Sequence, residues 1–232
     1  MADDILAAAS IAKKIKDATL FVFDLDGTLL NSKEDIADSI NISFAKLGLE
    51  PVSNETVYQY VGYGVAPLIL DTLTAIKQEE RYQDLLDLFR SIYDEKLLDK
   101  SHLFPHVEEG LNKLNDRNYK LALITNKPIG FTMKIVNSLK LDRFFGSLIV
   151  GGDSKVAQKP DPKSLLMIIK ATNSLASKTV MTGDSKVDIM TGKNANTLTV
   201  GVTYGFRAKE ELVNSKADLI IDSFDQLVSL TN

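Results

Sequence analysis

Leu20-Phe21-Val22-Phe23 is an unbroken apolar run that stops abruptly at Asp24. Its recurrence along the chain restricts the fold more than any other feature of the sequence. A strand with one wet face alternates apolar and polar residues, whereas a short strand apolar at every position is buried on both faces, as in a parallel sheet covered by helices. Leu121-Ala122-Leu123-Ile124 stops likewise at Thr125-Asn126, Leu148-Ile149-Val150 at Gly151-Gly152, and Val180-Met181-Thr182 at Gly183-Asp184. Leu198 to Val202 and Leu219 to Ile221 are further candidates, and helical stretches such as Phe131 to Leu139 and Pro162 to Thr172 lie between the strands. Strand and helix thus alternate through the second half of the chain. In such sheets ligands bind outside the carboxyl ends of the strands, where the polar residues that end these runs are gathered.

Residues 32–101 break the rhythm. Ile36, Ile40, Phe44 and Leu47 recur at helical spacing and stop at Gly48, a residue suited to a helix C-terminus. A second helix follows Ser53, Gly62 and Gly64 interrupt, and Leu85, Leu88, Phe89, Ile92 and Leu97 mark a longer amphipathic helix. The expected organisation is an α/β fold. Its core, a Rossmann-like parallel sheet with helices on both faces, would take residues 1–31 and 102–232, and an inserted all-helical cap domain, a lid over the strand ends, would take 32–101.

Composition closes off several classes. A chain of 232 residues, 44% of them hydrophobic, can bury a sizeable core. With no cysteine, it has neither disulfides nor thiolate chemistry. The net charge of −4, without a long basic stretch, makes nucleic acid a poor partner. Ala7 to Ala12 follows Asp3 and Asp4 and precedes Lys13, Lys14 and Lys16, the reverse of a signal peptide's charge order, so it reads as an amphipathic helix. No apolar run approaches the roughly 18 residues that cross a bilayer. The expectation is a soluble cytoplasmic protein, a monomer or homodimer with neither membrane nor nucleic acid as partner.

The chemistry-bearing residues fall in four separated segments: Asp24-Leu25-Asp26-Gly27-Thr28, Thr125-Asn126, Lys159-Pro160, and Gly183-Asp184-Ser185 with Asp188. Each is bland alone. Asp-x-Asp-Gly makes an ordinary turn, Thr-Asn a helix cap, and a lysine beside proline a surface turn. Brought together, however, three or more carboxylates raise one another's proton affinity unless a cation intervenes, and an all-oxygen donor set favours Mg²⁺. Gly27 lets the chain turn so that Asp24 and Asp26 face one pocket, one to attack and the other to manage protons.

The run from Phe21 to Leu29, with Thr125, Lys159-Pro160 and Asp184 to Asp188, resembles the four motifs of the haloacid dehalogenase superfamily, in that family's order and across most of the core. The resemblance implies phosphoryl transfer through an aspartyl-phosphate on Asp24, with Asp26 as acid and base. Thr125 and Lys159 would hold the phosphoryl oxygens, with Asn126 and Gly27 also against the substrate. Mg²⁺ would sit between Asp24, the backbone carbonyl of Asp26, and Asp184, while Asp188 would orient Lys159 or a metal-bound water. One departure is Val187, where the family pattern would carry a polar residue before the final acid.

Within the superfamily, Phe104-Pro105-His106-Val107, Thr125-Asn126-Lys127-Pro128, Gly151-Gly152-Asp153 and Thr203-Tyr204-Gly205-Phe206 are most similar to phosphoglycolate phosphatases. This likeness implies a small phosphorylated metabolite, 2-phosphoglycolate, as substrate. The alternatives are another sugar-phosphate phosphatase, a pyrophosphatase, a β-phosphoglucomutase-like phosphomutase, or a binding protein without catalysis. Such phosphomutases use a histidine soon after the first motif, and here none precedes His102. His102 and His106, and the Gly62-Tyr63-Gly64 turn, read as structural.

Overall fold

The computed structural model describes residues 2–232. In chain order the elements begin with α1 (Ala2–Lys16), β1 (Leu20–Phe23), β2 (Leu30–Asn31), α2 (Lys33–Leu47), α3 (Asn54–Tyr58), α4 (Val65–Ala75) and α5 (Tyr82–Lys96). They continue with β3 (His102–Leu103), α6 (Val107–Asp116), β4 (Lys120–Ile124), α7 (Ile129–Ser138), α8 (Asp142–Phe145), β5 (Ile149–Val150) and α9 (Lys163–Ala171). The last are β6 (Thr179–Gly183), α10 (Lys186–Asn194), β7 (Leu198–Val202), α11 (Lys209–Asn214), β8 (Leu219–Ile221) and α12 (Phe224–Ser229). The apolar runs read from the sequence are strands, with ends displaced by a residue or so.

A six-stranded sheet runs in the order β5-β4-β1-β6-β7-β8, every neighbouring pair parallel. Successive strand residues point to opposite faces, and both faces are apolar. Phe21, Phe23, Leu121, Leu123 and Val180 pack into one buried cluster with α6 and α12, while Leu20, Val22, Ala122, Ile124 and Met181 pack into another with α9. This is why β1 shows no polar alternation: its four residues are buried without exception. Each large side chain so buried contributes roughly 1.5–3 kcal/mol, a reserve against which ionised groups at the strand ends can be held.

Between β2 and β3 the chain forms α2, α3, α4 and α5, with α2 packed against α5. Two devices fasten the ends of this stretch to each other, apart from the six-stranded sheet. β2 and β3 pair antiparallel, Leu30 with Leu103 and Asn31 with His102. Asp35, buried on α2, accepts from the backbone N–H groups of Lys100 and Ser101 and from the Ser101 hydroxyl, the last at 2.6 Å. Midway along the insert, the Asn126 amide donates to the Gly62 carbonyl at 3.1 Å, and the Arg207 guanidinium to those of Gln59 and Val61. The turn around Gly62 is thereby tied to the loops after β4 and β7. Among the described residues, no helix is long and apolar enough to cross a membrane.

Candidate active site

Asp24, Thr125 and Asp184 are the first residues after β1, β4 and β6. Because β4, β1 and β6 are parallel neighbours, about 4.8 Å apart, these residues emerge side by side from one edge of the sheet. Lys159 reaches the same place from the loop between β5 and α9, and its ammonium lies 2.5 Å from Asp24 Oδ1 and 2.6 Å from Asp188 Oδ1. Asp188 Oδ2 accepts from the Ser185 hydroxyl at 2.7 Å and its N–H at 3.1 Å, which fixes the first turn of α10. Asp184 Oδ2 accepts from the Phe206 N–H at 2.8 Å. Asp24, Thr125, Lys159, Asp184, Ser185 and Asp188 are each at most 5% exposed. Val187, the departure noted above, is buried too.

Gly27 makes this packing possible. Its φ is +89°, and a Cβ there would lie 2.3 Å from Asp184 Oδ2, so a side chain would displace the acid as well as strain the turn.

Asp24, Asp184 and Asp188 each offer an oxygen within 4.8 Å of the others, and all three are buried. Three carboxylates against the one ammonium of Lys159 leave two uncompensated negative charges, which matches a divalent cation. Burial pushes the Asp24 carboxyl up to about 7, with the Lys159 charge opposing it and Asp188 adding to it. Burial raises Asp184 well above the carboxylate range too, reinforced by Asp188 and Asp24. For Lys159 burial disfavours the charge, but Asp188 and Asp24 outweigh it and its pKa is raised. Oxygen donors in a buried, acid-rich site fit a hard divalent ion.

A pH dependence follows. The folded pKa of Asp24, about 7, lies above its reference value of 3.8. Its contribution to metal-free stability is therefore full below about pH 4 and lost as pH rises toward about 7, because the folded chain then holds a charge it disfavours. A divalent ion competes with protons for these oxygens, so Mg²⁺ should raise the thermal midpoint more near about pH 8 than near about pH 5. Thermal melts with and without Mg²⁺ at the two pH values check this; equal shifts would contradict it.

The side chain of Asp26 stands outside the cluster of Asp24, Asp184 and Asp188. Both of its oxygens lie against the Lys127 ammonium, at 2.7 and 2.8 Å, and the Ser32 hydroxyl donates to Oδ1 at 2.5 Å. Asn126 is engaged with backbone: it accepts from Lys159 N–H at 2.9 Å and donates to the carbonyls of Lys159 and Gly62. Thr125 Oγ1 accepts from the Lys127 N–H at 3.2 Å. A cavity of about 40 Å³ opens where Asp24, Asp26, Thr125 and Lys127 face Leu68 and Tyr93 from the insert.

Lys127, Ser32 and Tyr93 were not singled out by their chemistry in the sequence. The one available signal was the sequence Thr125-Asn126-Lys127-Pro128, which carried a likeness but no assigned contact. Nothing near Tyr93 in sequence distinguishes it from the other apolar residues of α5.

Comparison with known proteins agrees with this geometry. The model of the haloacid dehalogenase-like hydrolase family matches residues 21–202. The chain is 35% identical to a phosphoglycolate phosphatase of Psychrobacter arcticus over 224 residues, covering 91% of this chain and 95% of that one. It is 34% identical to a phosphoglycolate phosphatase of Colwellia psychrerythraea, covering 93% and 97%. Among solved structures, a predicted phosphoglycolate phosphatase from Haemophilus somnus superposes with a TM-score of 0.88 at 30% identity, covering 93% and 99%.

Proposed function

The chain belongs to the haloacid dehalogenase-like hydrolase family, and from that premise we propose that it is a Mg²⁺-dependent phosphatase using Asp24 as nucleophile on a small phosphorylated metabolite, foremost 2-phosphoglycolate. The observation that carries the reading is the state of Asp24. Lys159 holds Oδ1, while Oδ2 has no hydrogen-bond partner among the described residues, and the residue borders the cavity. The substrate comes from the relatives, which are phosphoglycolate phosphatases over nearly their whole length.

In the proposed reaction the free Asp24 oxygen attacks phosphorus and the ester bond breaks, leaving an acyl phosphate on Asp24. Asp26 gives a proton to the departing oxygen. As a carboxylate it then takes a proton from water, which attacks the same phosphorus, releases phosphate and restores Asp24. The Thr125 hydroxyl and the Lys159 ammonium face the phosphoryl oxygens, stabilising charge that grows in the transition state. Asp188 positions Lys159, Asn126 fixes the loop carrying it, and Gly27 leaves room for Asp184. Mg²⁺, held by Asp24, the Asp26 backbone carbonyl and Asp184, would supply charge neutralisation between two anions that otherwise repel. Residues 32–101 act as a cap that keeps bulk water from the site, with 1–31 and 102–232 as the catalytic core.

The test is phosphate release by purified protein with Mg²⁺ across a panel of phosphorylated metabolites, with EDTA controls. The expected result is metal-dependent hydrolysis with 2-phosphoglycolate among the best substrates. Well-folded protein inactive on the whole panel would overturn the phosphatase reading. Activity with 2-phosphoglycolate among the poorest would overturn the substrate alone.

A further inference from the structure

Two features of the cavity are not used by the reaction above. Lys127 is a buried ammonium, 6% exposed, and Asp26 engages it through two oxygens. An ammonium has three protons to donate, so Lys127 retains donor capacity beyond that pair. Its charge is secure: burial opposes it, but the Asp26 carboxylate beside it favours the ammonium and its pKa is raised. The second feature is Tyr93, on α5 of the insert, 1% exposed, whose hydroxyl has no hydrogen-bond partner. A buried, unsatisfied hydroxyl is unfavourable in the empty protein, and such groups call for an explanation.

The two groups are neighbours. The Lys127 ammonium lies 4.9 Å from the centroid of the Tyr93 ring, and both residues line the cavity beside Asp24. The ring is held in place, stacked on Phe89 and edge-on to Phe131, each at 5.2 Å. The Lys127 backbone is held as well, its carbonyl accepting from the Gly152 N–H at 2.8 Å. Burial lifts the Tyr93 phenol to about 12, so it stays protonated and able to donate.

We propose that the Lys127 ammonium and the Tyr93 hydroxyl together bind a carboxylate on the carbon chain of the substrate, which makes them the residues that select a short phosphorylated hydroxy acid. The proposal rests on the phosphatase reading and deepens it. A carboxylate is acceptor-only, with two oxygens for two donors. Lys127 is two residues from Thr125, so the groups facing the phosphoryl and carboxylate ends of the substrate come from one turn, their Cα atoms at most about 7 Å apart. The cavity is small, about 40 Å³, and it borders Asp24, so a group held by the two donors lies close to the attacking carboxylate. The walls beyond the two donors, Leu68 and Phe89 among them, are apolar, which strengthens a charge pair inside them. Because Tyr93 belongs to the insert and Lys127 to the core, a carboxylate bridging them also links cap to core.

The experiment compares 2-phosphoglycolate with ethyl phosphate, a two-carbon ester that lacks the carboxylate, in the wild type, Lys127→Met and Tyr93→Phe, all with Mg²⁺. The wild type should prefer 2-phosphoglycolate in kcat/KM by about 100-fold or more, since a site built to pair a polar group rejects the analogue without it. Lys127→Met should cut that ratio by about 30-fold or more, on top of a fall in kcat shared by both substrates because Asp26 loses its partner, and Tyr93→Phe by about 10-fold, chiefly through KM. Tyr93→Phe should leave the thermal midpoint of the ligand-free protein unchanged or higher, because the lost hydroxyl has no partner there. In an Asp24→Asn background, calorimetry should show the same loss of 2-phosphoglycolate affinity without turnover.

Equal losses on both substrates, or an unchanged ratio in Tyr93→Phe, would overturn the proposal while leaving the phosphatase intact. Hydrolysis of neither ester by the wild type would overturn the phosphatase reading itself, and this proposal with it.

Discussion

Asp24→Asn should abolish turnover, by about 10⁴-fold or more, and at the same time stabilise the metal-free protein. The two effects have one cause. The amide has nearly the volume of the carboxylate and keeps an oxygen that can accept from Lys159, which now meets Asp24 Oδ1 at 2.5 Å. The local packing should therefore survive. What is lost is the negative charge on the attacking oxygen, and with it the nucleophile. That charge also lies within the buried triad of Asp24, Asp184 and Asp188, where burial has pushed Asp24 up to about 7. Removing it should raise the unfolding free energy by a few kcal/mol at about pH 8 in metal-free buffer. The gain should shrink when Mg²⁺ is added, since the ion relieves the same repulsion in the parent. Phosphate-release assays and paired urea titrations with and without Mg²⁺ measure both quantities. Turnover within about tenfold of the parent would remove Asp24 from the nucleophilic role, and a loss of metal-free stability would refute the charge argument. A site that gains stability when its reactive group is blunted shows the usual conflict between function and folding.

The position of this site was legible because the sheet is buried on both faces. β1, β4 and β6 carry unbroken apolar runs, so Asp24, Thr125 and Asp184 appear as interruptions, and the parallel alternation predicts that all three emerge on one edge. Lys159 follows no strand directly, and only its place in the resemblance pointed to it. Local spacing could not reveal pairings that cross the fold. Lys127 and Asp26 are 101 residues apart, and a lysine near a helix start reads as surface, whereas the fold buries this one. Tyr93 occupies the buried stripe of α5, where an aromatic with a functional hydroxyl and one that only packs leave the same periodic mark. β2 and β3 are two residues each, too short to show any period, so the ladder at the ends of the insert was also invisible.

Lys159→Met should destabilise the metal-free protein by about 3–5 kcal/mol, the range for removing one partner of a buried ion pair. Methionine matches the length and apolar stem of lysine, so little packing is lost, and the effect isolates the charge. Lys159 is the one ammonium within 2.6 Å of both Asp24 and Asp188, and its side chain is 2% exposed, so water cannot replace it. The triad would then have no cation beside it to offset the charge of its acids. Two further measurements separate this cause from general damage. Mg²⁺ should recover more stability in Lys159→Met than in the parent, because more repulsion remains to be relieved. Asp188→Asn, added to Lys159→Met, should recover at least about 1 kcal/mol relative to the sum of the single effects, as expected for directly coupled charges. Activity should fall by about 10²-fold or more in either metal condition, since the ammonium also faces the phosphoryl oxygens in the proposed reaction. Strict additivity of the two substitutions, or a metal-free loss below about 1 kcal/mol, would mean that the acids are neutralised by protons rather than by Lys159. The triad would then reach its ionised, reactive form only when a metal binds.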